Sequence, residues 1–583
     1  MLDLQSQLKM TINTDAVALL EKNFDVAFAA PDGIKKLREL ILSLAMQGKL
    51  VPQDEADQPA RELLKEIAAE KGRLVKDGKI KASKPLPEIK PDEVPYDLPK
   101  GWEWVRLGTY CYIFSGNAFK SEDFNSIDGI KAIKITNAGV GELIETSDFL
   151  PERFSIEYSD YQVRENDLIL ALTRPYISSG LKISICPSSY HGSLLNQRVA
   201  SIRPFQFFNF IFLFLSSPHV LSIYQKRFRD SGLQPNLKMS DVTDLLAPIP
   251  PLAEQRRIVA KIDELMARCD ELERLKAERD RKQITVHKAA LNRLLTAKDH
   301  SDFQTSWHFI TQHFSELYSV KENVAELRKA ILQIAVMGKL VPQDPNDQPA
   351  SELLKEIEKE KKDLIKEGKI KVSKPLSEIK PDEVPYKLPK SWKWCRVWDI
   401  AQLITSGSRD WAKYYSDDGA IFVTMGNLSR GNYNLRMENM RYVKPPKDGE
   451  GARTKLEEND LLISITGDVG NLGLIPKEFG DAYINQHTCL LRFMPICRNR
   501  YFPELMRTSL AKSQFDAPQR GIKNSFRLGD VGEMTIPLPP LAEQHRIVAK
   551  IDRLMTLCDE LEKQIDAAES KQTNLLNSMM AKV

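Results

Sequence analysis

The feature that most constrains the fold is an internal repeat, in which nearly identical segments flank two stretches that differ. The sequence GKLVPQD occurs at residues 48–54 and again at 338–344. Residues 84–96 read KPLPEIKPDEVPY, and residues 374–386 differ from them at a single position. Such self-similarity predicts two copies of one structural plan, with the repeated segments as connectors.

A second pair of repeated blocks, PPLAEQ at 250–255 and at 539–544, begins two helical segments. In both segments apolar residues recur every three or four positions, which indicates a helix that buries one stripe against another helix. The stripe, or seam, consists of Ile258, Ile262, Leu265, Cys269 and Leu272 in the first helix, and Ile547, Ile551, Leu554, Cys558, Leu561 and Ile565 in the second. We expect the two helices to pack together as a coiled coil, the first being roughly 70 Å long. Cys269 and Cys558 are interpreted as small apolar packing residues rather than as a redox pair.

Shorter helices are predicted ahead of each divergent stretch. Residues 34–47 and 324–337 have amphipathic spacing, and Gly48 and Gly338 are suited to end these helices. The proline-rich linkers at 84–99 and 374–389 must be extended. The C-terminal helix lacks a following glycine-ended helix, which is found instead near the N-terminus. The order of segments is therefore that of a cyclic repeat, in which the N-terminal segment completes the last connector. The two halves are expected to be related by a pseudo-two-fold axis.

The divergent stretches, about 105–247 and 395–536, share only short landmarks. These landmarks are Ser115-Gly116 with Ser406-Gly407, ENDL at 165–168 with ENDL at 458–461, Asn196-Gln197 with Asn485-Gln486, and Gly232 with Gly521. Short β-like runs punctuated by Gly, Asn and Ser indicate a small mixed α/β domain in each stretch. A recent duplication with uneven drift would also leave this pattern. Constant connectors around unlike inserts nevertheless favour two modules of different specificity.

The predicted fold class is therefore α+β, with two small mixed α/β domains separated by two long helices. The predicted domains are 1–100, a helical segment with a Pro-rich linker; 101–249, the first α/β domain; 250–390, a central connector; 391–538, the second α/β domain; and 539–583, a helix that pairs with 250–298 and with the N-terminal segment.

Composition and motifs argue against catalysis by this chain. No phosphate-binding loop, amino-methyltransferase motif or metal-ligand spacing occurs, and the seven cysteines form no C-x-x-C pair, as in a reducing compartment. The most apolar run, 207–215, is too short to span a membrane and is predicted to be a buried helix. With no signal peptide recognised at the start, the protein is expected in the cytoplasm. The formal net charge is only +3, so a partner is expected to supply phosphate contacts if nucleic acid is bound.

Together these motifs resemble the specificity subunits of type I restriction-modification systems. The resemblance rests on P-[IL]-P-P-L-A-E-Q-x-R-I-V at 248–259 and 537–548, on L-P-x-x-W-x-W at 98–104 and 388–394, and on the cyclic duplication. It implies that each insert is a target recognition domain that reads one half of a bipartite, asymmetric site in double-stranded DNA. It also implies a fixed unspecified gap, and docking of two methylation subunits and of restriction subunits. S-adenosylmethionine, ATP and Mg would be used by those partners, with no cofactor in this chain.

Two other functions remain open. The chain could serve a methyltransferase that acts without a nuclease, which keeps the DNA-reading role. A coiled-coil protein scaffold would account for the long helices but not for two divergent α/β inserts.

Base reading requires polar or basic side chains at the groove edges, so we select such residues in Gly- and Ser-rich loops near the landmarks. The candidates are Lys120, Asn137, Thr173, Arg174, Arg198, Gln234, Asn236 and Lys238 in the first insert, and Arg409, Asn427, Arg430, Thr466, Gln519, Arg520, Lys523 and Asn524 in the second. For each of them the alternative is an ordinary solvated side chain. Asn196-Gln197 and Asn485-Gln486 occur in both inserts, which predicts a structural role.

Overall fold

The computed structural model describes residues 29–228, 234–370, 376–446, 451–516 and 526–580. The chain divides into two compact units. The first takes the residues up to Glu278 together with Ala567–Val583, and the second takes Arg279–Asp566. The C-terminal end thus belongs to the same unit as the N-terminal part, which confirms the predicted cyclic repeat.

The first unit begins with helices and continues into a mixed α/β insert. Its helices are α1 Gly33–Met46, α2 Ala60–Lys76, α3 Leu107–Tyr110, α4 Phe154–Glu157, α5 Phe208–Leu215, α6 Pro218–Phe228, α7 Met239–Thr243 and α8 Leu252–Leu295, which ends in the second unit. Its strands are β1 Glu103–Arg106, β2 Cys111–Ser115, β3 Ile130–Ile133, β4 Phe149–Leu150, β5 Leu168–Ala171, β6 Tyr176–Ile177, β7 Gly180–Leu181, β8 Ile183–Ile185, β9 Leu194–Leu195, β10 Val199–Pro204 and β11 Leu246–Ile249.

The insert of the first unit is built on one antiparallel sheet. Strands β1 and β11 pair antiparallel where the chain enters and leaves the insert. The main sheet has the order β2-β10-β5-β8, while β3 lies between β4 and β9, and β6 and β7 form a hairpin. The apolar run predicted to be a buried helix is α5, with Phe210, Ile211, Phe214 and Leu215 buried.

The second unit repeats the main sheet and the paired entry and exit strands, but its smaller sheet differs. Its helices are α9 His300–Gln312, α10 Phe314–Leu317, α11 Lys321–Val336, α12 Ala350–Lys366, α13 Val397–Ile400, α14 Tyr501–Leu505, α15 Ser509–Asp516, α16 Leu528–Glu533 and α17 Leu541–Met580, which ends in the first unit. Its strands are β12 Lys393–Arg396, β13 Ala401–Ser406, β14 Tyr415–Ser416, β15 Ala420–Val423, β16 Arg441–Val443, β17 Leu461–Ser464, β18 Leu472–Leu474, β19 Ala482–Ile484, β20 Thr488–Phe493 and β21 Thr535–Leu538. Strand β12 pairs with β21, and the main sheet has the order β13-β20-β17-β18, which matches the main sheet of the first unit. The smaller sheet has the order β14-β16-β15-β19.

The long helices α8 and α17 each contribute to the cores of both units. In the first unit, Ile258, Ile262, Leu265 and Cys269 of α8 share a core with α1 and with Leu576 near the end of α17. In the second unit, Ile547, Ile551, Cys558 and Ile565 of α17 share a core with α11 and with Leu291 and Leu294 near the end of α8. The seam of each long helix is therefore buried with a glycine-ended helix and with the last turns of the other long helix.

The two seam cysteines are buried in different cores, Cys269 in the first unit and Cys558 in the second. Burial raises the pKa of both thiols, which keeps them protonated and unreactive. Their placement agrees with the interpretation that they are apolar packing residues. Within the described residues, no helix is both long enough and apolar enough to cross a membrane.

Candidate nucleic-acid interface

Each insert is anchored to its connector by a node formed from three repeated motifs, in which the tryptophan and the glutamate are buried. In the first unit the indole Nε1 of Trp102 donates a hydrogen bond to Glu254 Oε2 at 3.0 Å, and Gln53 Nε2 donates to Glu254 Oε1 at 2.7 Å. The second unit repeats this node with Trp392, Gln343 and Glu543. Burial raises the pKa of both glutamates, although the hydrogen bonds favour the charged form.

The Pro-rich linker is fastened to the insert by a buried arginine. Arg106 donates to the backbone carbonyls of Pro87, Glu88 and Asp244 and pairs with Glu93 at 2.8 Å. Arg396 makes the corresponding contacts in the second unit, including an ion pair with Glu383 at 2.9 Å. Hydrogen bonds from the backbone N–H of Lys90 and from Arg106 lower the pKa of Glu93, and hydrogen bonds from Arg396 and from the backbone N–H of Lys380 lower that of Glu383. The linker is therefore held rigidly against the base of the insert.

The ENDL landmark shapes the main sheet. Asn166 and Asn459 adopt left-handed backbone angles, with φ of +69° and +66°, which asparagine tolerates better than most residues. The following aspartates are buried, and each accepts two hydrogen bonds from one arginine, Asp167 from Arg203 and Asp460 from Arg492. The landmark thus turns the chain into β5 and β17 and fixes neighbouring strands.

Six of the DNA-reading candidates in the first unit lie together at one end of β5. Thr173 Oγ1 donates to Asn236 Oδ1 at 2.9 Å, and the backbone N–H of Arg174 donates to the carbonyl of Pro235 at 2.9 Å. The backbone N–H of Leu172 donates to the carbonyl of Arg198, also at 2.9 Å. Arg174, Arg198, Gln234, Asn236 and Lys238 are exposed, whereas Thr173 is buried and serves as an anchor.

Lys120 begins a separate short turn. Its backbone N–H donates to Asp123, and its exposed ammonium lies 3.5 Å from Glu122. The turn follows Asn117, whose backbone exchanges hydrogen bonds with Leu195 and Gln197. Gly116, just before it, has no room for a Cβ beside the carbonyls of Leu195 and Asn196, which explains the Ser-Gly landmark.

The predicted base-reading residues Asn137 and Asn427 lie inside the fold. Both side chains are buried. Asn137 accepts a hydrogen bond from the backbone N–H of Lys134 and donates to the carbonyl of Ile144 at 3.2 Å. Asn427 accepts from the backbone N–H of Thr424 and donates to the carbonyl of Arg436 at 3.1 Å. They stabilise equivalent loops in the two units.

In the second unit Thr466 follows the end of β17. Its hydroxyl lies 2.8 Å from His487 Nδ1, and Phe526 N–H donates to the carbonyl of the preceding Ile465 at 2.9 Å. Arg430 is exposed and lies 3.6 Å from Asp468, and Arg409 is exposed on the turn before 410–414. The remaining candidates, Gln519, Arg520, Lys523 and Asn524, lie outside the described residues.

Sequence reasoning missed His487, which occupies in the second unit the place that Arg198 occupies in the first. The backbone N–H of Ile465 donates to the carbonyl of His487 at 3.0 Å, as that of Leu172 does to Arg198. Gln486 Nε2 lies 2.9 Å from His487 Nε2. The signal was available, since both residues directly follow the shared Asn-Gln landmark. Asn485 Oδ1 accepts from His487 N–H and Thr488 Oγ1, which fits the structural role expected of that landmark.

Comparison with known proteins gives one consistent result. A family model described as "Type I restriction modification DNA specificity domain" matches residues 99–279 and 389–568. The chain is 34% identical over 564 residues to the type I restriction enzyme EcoAI specificity subunit of Escherichia coli, covering 94% of this chain and 93% of that protein. It is 32% identical over 586 residues to the EcoEI specificity subunit of Escherichia coli, with the same coverage. The crystal structure of the HsdS subunit from Thermoanaerobacter tengcongensis matches at 20% identity, with a TM-score of 0.41, over 84% of this chain and 98% of that one.

Proposed function

Because the chain belongs to the family of type I restriction-modification DNA specificity subunits, we propose that it reads a bipartite, asymmetric DNA site. Residues 101–249 and 391–538 are assigned as the two target recognition domains, one for each half-site. The connectors at 1–100, 250–390 and 539–583 are assigned as spacer and as docking surface. Two methylation subunits and the restriction subunits would bind there, and they would use S-adenosylmethionine, ATP and Mg.

One observation supports two different half-sites above all others. The two inserts share backbone hydrogen bonds at the end of β5 and β17 but present different side chains there. Arg198 and His487 follow the same landmark, and their carbonyls accept equivalent bonds at 2.9 and 3.0 Å. Arg198 is exposed, and His487 is half-buried beside Thr466. Reading different bases accounts for the difference.

The rigid attachment of each insert supports the spacer role. The buried node at Glu254 ties the start of α8 to the insert through Trp102, and Arg106 ties the linker to the same base. Two modules that read DNA in a fixed register must be held at a set separation, because half-sites repeat with the helical turn of DNA. A near-neutral net charge fits a reader whose partners supply much of the phosphate contact.

The test is an exchange of one insert. Residues 105–247 are replaced by the corresponding stretch of a relative, the chimera is expressed with its methylation subunits, and methylated adenines are mapped in the host DNA. We expect one half of the site to change while the other half and the gap stay the same. The reciprocal exchange of 395–536 is the matched control and should change the opposite half. A change in both halves from a single exchange contradicts the modular function.

A further inference from the structure

Arg174 adopts a backbone conformation that arginine normally avoids. Its φ is +49°, in the left-handed region. In that region the Cβ of an L-residue comes too close to the following carbonyl oxygen. Proline follows at position 175, and a residue before proline is further restricted towards extended angles. The conformation is therefore unfavourable for this residue on two grounds.

The surrounding backbone imposes this conformation. The N–H of Arg174 donates to the carbonyl of Pro235, and Thr173 forms a bridge with Asn236, which holds the end of β5. On the other side, the N–H of Lys182 donates to the carbonyl of Pro175, where the β6–β7 hairpin begins. The chain must reverse between these two fixed points, and it does so at Arg174.

The second unit solves the same problem with glycine. Gly467 follows Thr466 as Arg174 follows Thr173, and its φ is +71°. The equivalence is set by backbone bonds, since the strand residues before these threonines donate to the carbonyls of Arg198 and His487. Glycine adopts left-handed angles without steric penalty. A residue suited to the backbone is thus present in one copy and arginine in the other.

The Arg174 side chain does not offset this strain by contacts within the fold. It is exposed, and among the described residues no hydrogen bond or ion pair reaches its guanidinium. Its charge instead adds to that of Lys182, whose Nζ donates to the carbonyl of Ile135 at 3.0 Å. Together with burial, the charge of Arg174 lowers the pKa of Lys182.

We propose that Arg174 reads a guanine in the half-site bound by the first recognition domain, an inference that rests on the proposed function. Arginine presents parallel N–H donors that match O6 and N7 of guanine in the major groove. Glycine at position 467 offers no such donors, so the second domain reads its half-site with other residues. The strained backbone is retained because it projects the guanidinium outward from the edge formed by Thr173 and Asn236.

The experiment compares Arg174→Gly, Arg174→Lys and Arg153→Ala in the full chain, each assembled with its methylation subunits. Arg153 is an exposed arginine of the same insert that lies 3.6 Å from Glu157, and it serves as the charge-matched control. Methylated sites are mapped first for the unaltered protein. Binding is then measured on duplexes in which each base pair of the half-site is replaced in turn.

We expect the mapped half-site of the first domain to contain an invariant guanine. Arg174→Gly should reduce discrimination at that single base pair by roughly ten- to a hundredfold and leave the other half-site unchanged. Arg174→Lys should lose most of the same discrimination, because one ammonium cannot make the paired contact. Arg153→Ala should match the unaltered protein.

Three results would overturn the inference. Unchanged discrimination in Arg174→Gly excludes base reading, and equal weakening on every sequence indicates a phosphate contact instead. A thermal midpoint that falls by more than a few degrees in Arg174→Gly shows that the side chain supports the fold. If the unaltered protein itself gives no bipartite pattern of methylation, the proposed function fails, and this outcome is separate from the others.

Discussion

The indole Nε1 of Trp102 donates a hydrogen bond to the Glu254 carboxylate at 3.0 Å. The two residues belong to different repeated motifs. Gln53 of the GKLVPQD motif donates to the other carboxylate oxygen at 2.7 Å. The start of the insert, the start of α8 and the loop after α1 are thereby joined at the buried Glu254 carboxylate. This convergence explains why these motifs are nearly identical in the two halves while the inserts differ.

Removal of the indole donor should destabilise the first unit. In Trp102→Phe the Glu254 carboxylate loses a hydrogen bond in a buried site, and a bond to a charged group contributes about 1.5–3 kcal/mol. The free energy of unfolding, measured in urea, should fall by this amount. Trp307→Phe is the control, because Trp307 is 42% exposed. Equal effects of the two substitutions would show that the Trp102–Glu254 bond contributes nothing specific.

The same glutamates predict a pH dependence of stability. Burial raises the pKa of Glu254 and Glu543 above their usual value of 4.5, so these two groups hold more protons in the folded protein than in the unfolded chain just above pH 4.5. Their contribution to stability is present below that pH and is lost as pH rises through the raised pKa. Relative to the double variant Glu254→Gln, Glu543→Gln, the unaltered protein should therefore become less stable between pH 4.5 and neutrality. A difference that stays constant, or that grows in favour of the unaltered protein, refutes this assignment.

Alanine variants of two glycines with the same backbone angle should separate the free-energy cost of the left-handed conformation from the cost of a steric clash. Gly48 and Gly78 both have φ of +66°. A Cβ on Gly48 would lie 2.5 Å from Pro99 Cγ, whereas a Cβ on Gly78 would meet no atom within 4 Å. Gly78→Ala should therefore cost about 1–2 kcal/mol for the left-handed angle alone. Gly48→Ala should cost a further 1–3 kcal/mol, roughly the penalty of overpacking. Urea unfolding of the two variants gives the comparison, and equal losses would mean that Pro99 yields without cost.

Features set by local chemistry could be predicted from the sequence. The left-handed turn at Gly48, which follows the end of α1, is predictable because it depends only on the residue type and on the preceding helix. The spacing of Ile258, Ile262 and Leu265 likewise predicts which face of α8 is buried. It does not identify what covers that face, because periodicity describes one helix and not its neighbour. The seam is in fact buried with α1 and Leu576.

The candidate interface depended on contacts that a linear sequence does not show. Asn137 is buried because carbonyls of Ile144 and Glu145 accept from its amide, and its burial could not be inferred from its own position in a polar loop. Arg174 was selected for its charge alone, since the left-handed angle becomes evident only in the folded backbone. His487 directly follows the shared Asn-Gln landmark, but histidine is not among the side chains selected from the sequence for base reading.

The length of α8 should set the unspecified gap between the half-sites. The helix continues without interruption from Leu252 to Leu295, passing Leu275, which is 47% exposed and so tolerates inserted neighbours. Insertion of four residues there adds about one turn, or roughly 5.4 Å, and nearly restores the direction of each side chain. Mapped methylation sites should then show a gap wider by one or two base pairs, with both half-sites unchanged.

An equal insertion after Gln564, the corresponding position of α17, tests whether both helices must lengthen together. Insertion of two residues is the control for rotation, because it turns the following seam away from its core and should abolish assembly. If the gap keeps its length after a four-residue insertion in both helices, the spacer role is wrong and the separation must be set by the partner subunits.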